Sequence, residues 1–269
     1  MTTGGYQTSG WTFWIDRGGT FTDVIGRAPD GAEQTLKLLS ASPSYADAAV
    51  EAMRRLLGVE PDAPFPAARV AAIRMGTTVA TNALLERKGA RTLLVTSRGF
   101  GDSVVIGDQS RPELFALDII RPDPLYSGVV EAGERLAADG AVVAPLDVDT
   151  LAADLAWARA DGFASVAIAF LHSDLNPDHE RTAGEIAWAA GFDYVALSHE
   201  VSPLPRFTPR AETTVADAYL TPVLRAYVDQ VARAVGGAPL WFMTSAGALI
   251  RAQAFRGKHQ GDAGFGGAG

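Results

Sequence analysis

The period of the apolar pattern changes from two residues to about 3.6 near residue 40, and this change limits the folds open to the chain. Before it, glycine-containing turns separate three short segments that are aromatic, β-branched or alternating: Trp11–Ile15, Phe21–Ile25 and Gln34–Leu39. We expect these to form an antiparallel meander. After it, helical and strand patterns alternate, at 45–57, 69–75, 78–88 and 91–96. This alternation predicts crossover connections and a parallel sheet.

Three meander strands followed by this alternation are the order of a ribonuclease-H-like unit, and we expect the first sheet to be built this way. Residues 97–145 are rich in Gly, Pro and Asp around short apolar pieces such as Leu114–Ile120, which favours an elaborated insertion or a β-rich subdomain. A second α/β run is expected to form a further lobe, with helices and strands at 146–162, 165–170, 177–190 and 194–198. A helix at about 213–235 and a strand at 240–244 follow.

The composition excludes several classes of function. The 269 residues include 23 Lys and Arg against 31 Asp and Glu, a formal net charge of −8, whereas a surface that binds nucleic acid needs excess basic residues. The absence of cysteine excludes disulfides, thiolate metal sites and a cysteine nucleophile. No apolar run reaches the ~18 residues of a membrane helix, and residues 1–10 are polar and resemble no signal peptide. We expect a cytoplasmic protein with a disordered N-terminus at 1–10.

The strongest chemical signal is Asp16-Arg17-Gly18-Gly19-Thr20-Phe21-Thr22-Asp23, between two predicted strands. Gly18 and Gly19 allow backbone N–H groups to close around phosphate oxygens, and the hydroxyls of Thr20 and Thr22 add donors. Asp16, at the end of a strand, is suited to hydrated Mg²⁺. A plain glycine hairpin with a capping Asp explains the same residues, so the context has to decide.

A second signal is Gly76-Thr77-Thr78-Val79-Ala80-Thr81-Asn82, at a predicted strand-to-helix junction. Gly76, Thr77 and Thr78 would leave free N–H groups at the positive end of a helix, which suits an anion. Ordinary N-capping by Thr77 or Thr78 is the alternative. Both signals fall at the carboxyl ends of strands in one predicted sheet, the edge where open α/β folds bind ligands.

Other candidate motifs are weaker. The sequence contains no Walker-type phosphate loop and no glycine fingerprint for dinucleotides after a strand. The segment His172–Glu180 has the residues of a metal site, but Pro177, Asp178 and Glu180 are typical of the first turn of a helix, which we favour. The same interpretation applies to His199-Glu200. Thr213 and Asp217 share a helix face, as a cleft wall or a solvated surface. No hydrolytic base is assigned.

Four segments together resemble the hydantoinase A / 5-oxoprolinase family: Ile15–Val24, Gly76–Gly89, Phe170–Glu180 and Ser198–Pro203. The resemblance runs from about residue 11 to about residue 258, and the second segment is the most specific. Arg17 and the run Leu36–Ser40 are closer to ATP-dependent 5-oxoprolinases than to hydantoinases or acetone carboxylase subunits, which are the competing enzyme types. A non-catalytic binding or assembly module is a third possibility.

The resemblance implies an actin-like ATPase fold, here an α/β ribonuclease-H-like lobe with an additional α/β subdomain. It implies ATP and Mg²⁺ as cofactors and a cyclic amide, 5-oxo-L-proline, as substrate, hydrolysed to L-glutamate with ADP and phosphate. The residues that match the phosphate cleft are Gly18, Gly19, Thr20, Thr22, Gly76, Thr77 and Thr78, with Asp16 binding Mg²⁺ through water. It also implies a homo-oligomer when full length.

The end of the chain departs from the family. Ser245-Ala246-Gly247-Ala248 replaces an Asn-Gly-Gly-like element, and a glycine-rich tail at 259–269 replaces the expected second glycine loop. We therefore expect a family N-terminal domain at 11–145, the start of the hydantoinase A domain at 146–258, and a truncation or frameshift near 258. The missing C-terminal half, or a hydantoinase B-like subunit, is the expected partner.

Overall fold

A computed structural model describes residues 9–60, 63–107, 115, 122–244 and 247–256. The strands are β1 Trp11–Arg17, β2 Phe21–Arg27, β3 Glu33–Leu39, β4 Val70–Thr77, β5 Thr92–Ser97, β6 Gly128–Ala132, β7 Arg135–Leu136, β8 Val142–Ala144, β9 Ser165–Ala169, β10 Tyr194–Leu197, β11 Leu240–Met243 and β12 Leu249–Arg251. The helices are α1 Ala48–Leu57, α2 Val79–Leu85, α3 Ser103–Ile106, α4 Val148–Ala160, α5 Asp178–Ala189, α6 Ser198–Val201 and α7 Phe207–Ala234. None of the helices in these ranges is long and apolar enough to cross a bilayer.

Some predicted features lie outside the described residues. These are the N-terminus up to residue 8, the apolar piece at 114–120 apart from Phe115, Ser245-Ala246 and the tail at 259–269. The described residues divide into two compact units: the first takes the chain up to Glu86 and from Val223 onward, and the second is Arg87–Pro222. The predicted boundary between residues 145 and 146 separates two sequence domains of the family, not the two compact units of the structure. It stays a prediction.

The first unit is a single six-stranded sheet in the order β12-β11-β4-β1-β2-β3. Strands β1, β2 and β3 form the predicted antiparallel meander, and β4 and β11 are parallel to β1. One face of the sheet packs against α1 and the later part of α7, with Phe13, Ile73 and Phe242 from strands meeting Met53 and Val231 from helices. Burying apolar side chains at this face supplies the main stabilisation of the unit.

The strand predicted at 91–96 belongs to the other sheet. It was expected to extend the first sheet, but β5 pairs with β6 and β9, and β11 takes its place beside β4. All six residues of β5 are buried. A parallel strand that is covered on both faces has the same apolar sequence pattern in either sheet. Because chain order does not fix the partner of such a strand, the assignment to the first sheet was wrong.

The second unit is a parallel four-stranded sheet in the order β10-β9-β5-β6. Helices α4 and α5 cover one face, where Leu155 and Ala183 meet Ile168. The early part of α7 contributes Val215 and Ala218 to a separate apolar cluster. Since both faces are covered, all five residues of β9 are buried.

Helix α7 continues through Pro222, which has no N–H to donate to the carbonyl of Ala218. The Ser165 hydroxyl donates to that carbonyl instead, at 2.6 Å. The next carbonyl, that of Tyr219, accepts from the Ala90 N–H at 2.9 Å. The second unit thus supplies hydrogen bonds to the two carbonyls near the proline. These bonds explain how α7 can continue through Pro222 without a break.

Candidate functional site

The turn between β1 and β2 is tight, and glycine is required in it. The Gly18 N–H donates to the Phe21 carbonyl at 3.0 Å, and a Cβ at Gly18 would lie 2.9 Å from that same oxygen. Ser40 fixes the turn from β3, donating through its N–H to the Thr20 carbonyl and through its hydroxyl to the Gly18 carbonyl. Within the described residues no acceptor meets the amides of Gly19 and Thr20. These two donors are therefore available to a bound group.

Thr22 does not belong with these donors. Its side chain is fully buried, and its hydroxyl lies 3.0 Å from the Ser40 hydroxyl. The expectation that this hydroxyl contacts a phosphate is wrong, because Thr22 lies on the core side of β2. Its hydrogen bond to Ser40 stabilises the turn from the core side of the sheet. Thr20 is exposed at the turn itself and retains the predicted position.

The second motif lies beside the first, as the sequence predicts. Strands β1 and β4 are parallel, and their register places Asp16 opposite Gly76 and Arg17 opposite Thr77. The Thr78 N–H and hydroxyl both donate to the Arg17 carbonyl, at 3.0 and 3.2 Å. Two segments about 60 residues apart are thereby joined at one edge of the sheet.

The threonine hydroxyls of this junction are used internally. The Thr77 hydroxyl accepts from the Val79 N–H at 3.2 Å. The N-cap residue of α2 is Thr78, and its side chain makes no capping hydrogen bond. The Thr78 hydroxyl also meets the Asn82 amide at 3.3 Å. What remains for an anion is backbone: in the described chain the first-turn amides of Ala80 and Thr81 meet no acceptor.

Asp16 is an exposed carboxylate at the end of β1, on the same face as Gly76. Across the described ranges it has no hydrogen bond to a side chain and no ion pair. Nor does any group of three or more His, Cys, Asp or Glu suited to a metal occur there. A single free carboxylate suits Mg²⁺, which is commonly held by one or two carboxylates together with water and phosphate oxygens. The residues present therefore fit the predicted cation.

Arg17 anchors this turn to the helices behind the sheet. Its Nε lies 3.7 Å from the Asp47 carboxylate, and its guanidinium lies 4.7 Å from the centre of the Tyr227 ring. Asp47 also caps α1, accepting from the Val50 N–H at 3.0 Å. Burial, with the nearby Asp47 charge, raises the pKa of Tyr227 far above its usual range. From the sequence, Arg17 was interpreted only as a residue typical of the family, and its contacts with Asp47 and Tyr227 were not predicted.

In the second unit, Ser173 and Glu180 of the segment His172–Glu180 belong to a buried polar cluster. Asp178 begins α5 and is exposed, as a first-turn residue should be, but Glu180 is fully buried. Its carboxylate meets Nδ1 of His199 at 2.6 Å and the Ser198 hydroxyl at 2.5 Å. Asp178 and Glu180 both lie in the first turn of α5, as the sequence predicted, and the buried contacts of Glu180 with His199 and Ser198 go beyond that role.

The cluster extends to two further charged groups. Glu134, also buried, meets Nδ1 of His179 at 2.8 Å. Arg210 is fully buried and donates to the Asp174 carboxylate at 2.8 Å and to the Phe170 carbonyl at 2.6 Å. These contacts pair the buried carboxylates and the guanidinium, and they tie the loop after β9 to α5 and α7. Among the described residues, the buried Nε2 atom of His199 has no hydrogen-bond partner. The cluster is a structural centre of the unit.

The sheet order of the first unit, with two glycine-threonine turns meeting at its carboxyl edge, defines an actin-like ATPase lobe, the predicted α/β fold. The sequence model for the hydantoinase/oxoprolinase N-terminal region matches residues 12–191, and a second, for hydantoinase/oxoprolinase, matches 210–264. The chain belongs to the hydantoinase/oxoprolinase family, as the resemblance indicated.

Known proteins support the assignment. A 5-oxoprolinase of Saccharomyces cerevisiae is 40% identical over 283 residues, which cover 90% of this chain and 22% of the yeast protein. The crystal structure of an ATP-dependent caprolactamase from Pseudomonas jessenii aligns with a TM-score of 0.74 at 30% identity, covering 88% of this chain and 36% of that one. A nucleotide-free acetone carboxylase, at TM-score 0.72 and 23% identity over 91% of this chain and 37% of its own, shares the fold. The chain spans about a fifth of the length of the 5-oxoprolinase.

Proposed function

We propose that this chain carries the phosphate-binding edge of an ATP-dependent 5-oxoprolinase. The reaction is 5-oxo-L-proline, ATP and water giving L-glutamate, ADP and phosphate. The observation that carries the proposal is the meeting of two turns at one sheet edge, which leaves the amides of Gly19 and Thr20 and the carboxylate of Asp16 without partners in the described chain. The similarity to the yeast 5-oxoprolinase supports the choice of reaction.

Each residue of the edge has a distinct role in the proposal. ATP supplies the phosphoryl group that makes the ring carbonyl easier to hydrolyse. The amides of Gly19 and Thr20 bind phosphate oxygens, and Asp16 holds Mg²⁺ through water. Gly76 keeps the adjoining wall open, since a Cβ there would lie 3.3 Å from the Met243 methyl group. Thr77 and Thr78 hold the junction, and the backbone amides that the junction leaves for a phosphate are those of Ala80 and Thr81.

The remaining expectations complete the proposal. We propose that the chain's partner is the remaining portion of a full-length oxoprolinase, which would supply the adenosine pocket and a second glycine loop, or a hydantoinase B-like subunit, and that the full-length protein is a homo-oligomer. The relative's much greater length supports this. A cytoplasmic location is supported by the absence of cysteine, which suits a reducing compartment.

The cation role of Asp16 is tested by nucleotide binding. Isothermal titration of the chain together with its complementing C-terminal portion, with ATP in Mg²⁺ and in EDTA, should show tighter binding with Mg²⁺. Asp16→Asn should remove this difference, because the amide carries no charge to attract the hydrated ion. Glu185→Gln, at an exposed position of α5, is the matched control and should behave as the wild type. An undiminished Mg²⁺ effect in Asp16→Asn would remove Asp16 from the site.

A second candidate reaction is the ATP-dependent hydrolysis of another lactam, favoured by the structural similarity to caprolactamase. Reactions of the hydantoinase and acetone-carboxylase types, and a non-catalytic binding module, compete with both. Phosphate release is measured with 5-oxo-L-proline, caprolactam or hydantoin added to the chain with its complementing C-terminal portion. Phosphate release stimulated by 5-oxo-L-proline alone supports the proposed reaction. Phosphate release stimulated by caprolactam or hydantoin instead assigns the chain to the corresponding competing reaction. Binding of ATP without any release favours the module.

A further inference from the structure

A cavity of about 450 Å³ opens on the face of the first sheet opposite the apolar core. Its apolar lining includes Trp14, Ile25, Met243 and Leu249. The last three are 43%, 57% and 46% exposed, which is unusual for large apolar side chains gathered at one place. The volume is that of a small-molecule site.

Among the described residues that line this cavity, Arg74 is the cation. Its guanidinium lies 5.5 Å from the centre of the Trp14 ring, and the two side chains are opposite each other in the β1–β4 register. No described carboxylate lies within 4.0 Å of its nitrogen atoms. The indole face orients the guanidinium without using its hydrogen bonds, so Arg74 presents donors that are suited to a planar carboxylate.

The other charged groups around the cavity are accounted for. Asp23 is paired with Lys37 at 2.8 Å, which offsets its charge. Arg27 also lies over the Trp14 ring, at 5.1 Å, but it is bound to Glu33 at 2.6 Å. Asp16 is the carboxylate proposed for the cation. A ligand carboxylate is therefore drawn to Arg74.

The cavity runs toward the proposed phosphate edge. Arg74 and Gly76 are two residues apart on β4, and Trp14 and Asp16 are two residues apart on β1, all facing the cavity. Two residues of a strand span ~7 Å. A single small ring held by a carboxylate at Arg74 can reach the edge where Asp16 and Gly76 lie.

We propose that this cavity binds the cyclic amide substrate, with Arg74 pairing the substrate's carboxylate and the side chains of Trp14, Ile25 and Met243 contacting its ring. The assignment rests on the proposed function and makes Arg74 the residue that distinguishes a carboxylated lactam from a neutral one. The lactam carbonyl then faces the edge at which phosphate is bound.

The test is equilibrium binding of radiolabelled 5-oxo-L-proline to the chain, with 2-pyrrolidinone as the same ring lacking a carboxylate. Arg74→Gln should weaken 5-oxo-L-proline binding by about tenfold or more, because a charge-assisted hydrogen-bonded pair is lost. It should leave 2-pyrrolidinone binding unchanged. Arg74→Lys, which keeps the charge but not the planar fork, should lose less.

Arg27→Gln is the matched control, since Arg27 contacts the same indole but does not line the cavity. It should bind 5-oxo-L-proline as the wild type does, with far-UV circular dichroism showing that all variants are folded. Absence of saturable binding by the wild type, equal binding by Arg74→Gln, or an equal loss in Arg27→Gln would each overturn the assignment.

The measurement separates this inference from the proposed function. Mg²⁺-dependent nucleotide binding is tested through Asp16 without any lactam present. If that binding fails while Arg74-dependent binding of 5-oxo-L-proline persists, the ATP assignment falls and the cavity assignment stands. If nucleotide binds and 5-oxo-L-proline does not, the cavity assignment falls alone.

Discussion

The carboxylate of Glu180 is the acceptor on which the polar cluster of the second unit depends. It meets five donor groups. These are the backbone N–H of Phe170, the hydroxyls of Ser173 and Ser198, and the backbone N–H and ring Nδ1 of His199. Glu180→Gln keeps the volume but replaces one oxygen with an NH₂ group, so at least two buried donors lose their acceptor. At ~1–3 kcal/mol for each unsatisfied group, we expect the variant to lose about 3 kcal/mol of stability.

Urea unfolding followed by circular dichroism measures this loss. Glu185→Gln, an exposed change of the same kind on the same helix, is the control and should stay within ~0.5 kcal/mol of the wild type. A Glu180→Gln variant no less stable than this control would refute the role of the cluster.

The pH dependence provides a second check on Glu180. Burial tends to raise the pKa of Glu180, but hydrogen bonds from His199 and Ser198 outweigh it and hold the pKa below its usual 4.5. A carboxyl whose pKa is depressed in the folded state stabilises the fold above its unfolded pKa and loses that contribution as the pH falls through the folded value. The stability difference between wild type and Glu180→Gln should therefore be constant above about pH 5 and shrink under more acidic conditions.

Three further outcomes are expected. Gly18→Ala should lower stability by ~1–3 kcal/mol in urea unfolding, since its Cβ would meet the Phe21 carbonyl at 2.9 Å. Gly89→Ala should lower the Tm, because its Cβ would lie 2.1 Å from the Tyr219 ring; an unchanged Tm would contradict that packing. Absorbance titration at alkaline pH should show fewer than the six tyrosines ionising near pH 10, since the pKa of Tyr227 is raised. Tyr227→Phe should leave that amplitude unchanged before unfolding.

The parts of the fold that follow from local signals are predictable from the sequence. Gly18 and Gly19 determine the hairpin, and the helical period of α1 determines the crossover that makes β4 parallel to β1. The meeting of the two motifs follows from these two facts, because the carboxyl ends of parallel neighbours share an edge. The amino-acid pattern alone is therefore sufficient to place Asp16 and Gly76 together.

What depends on long-range packing could not be predicted. The burial of Thr22 depends on Ser40, a residue of the connection after β3. Glu180 stands in the first turn of a helix, where capping is a sufficient local explanation, and its partner His199 lies 19 residues away. Neither contact leaves a periodic or spacing signal, so residue type alone suggests a simpler role for both.

The chain path has a consequence for synthesis. The second unit is one continuous stretch, Arg87–Pro222, whereas the sheet of the first unit is completed only by β11, which follows it. During translation the second unit can therefore fold as soon as it leaves the ribosome, while β4 must wait with an unpaired edge. The order of synthesis exposes the edge of β4 to wrong pairing until β11 is made, and a chain released before Leu240 would keep that edge open.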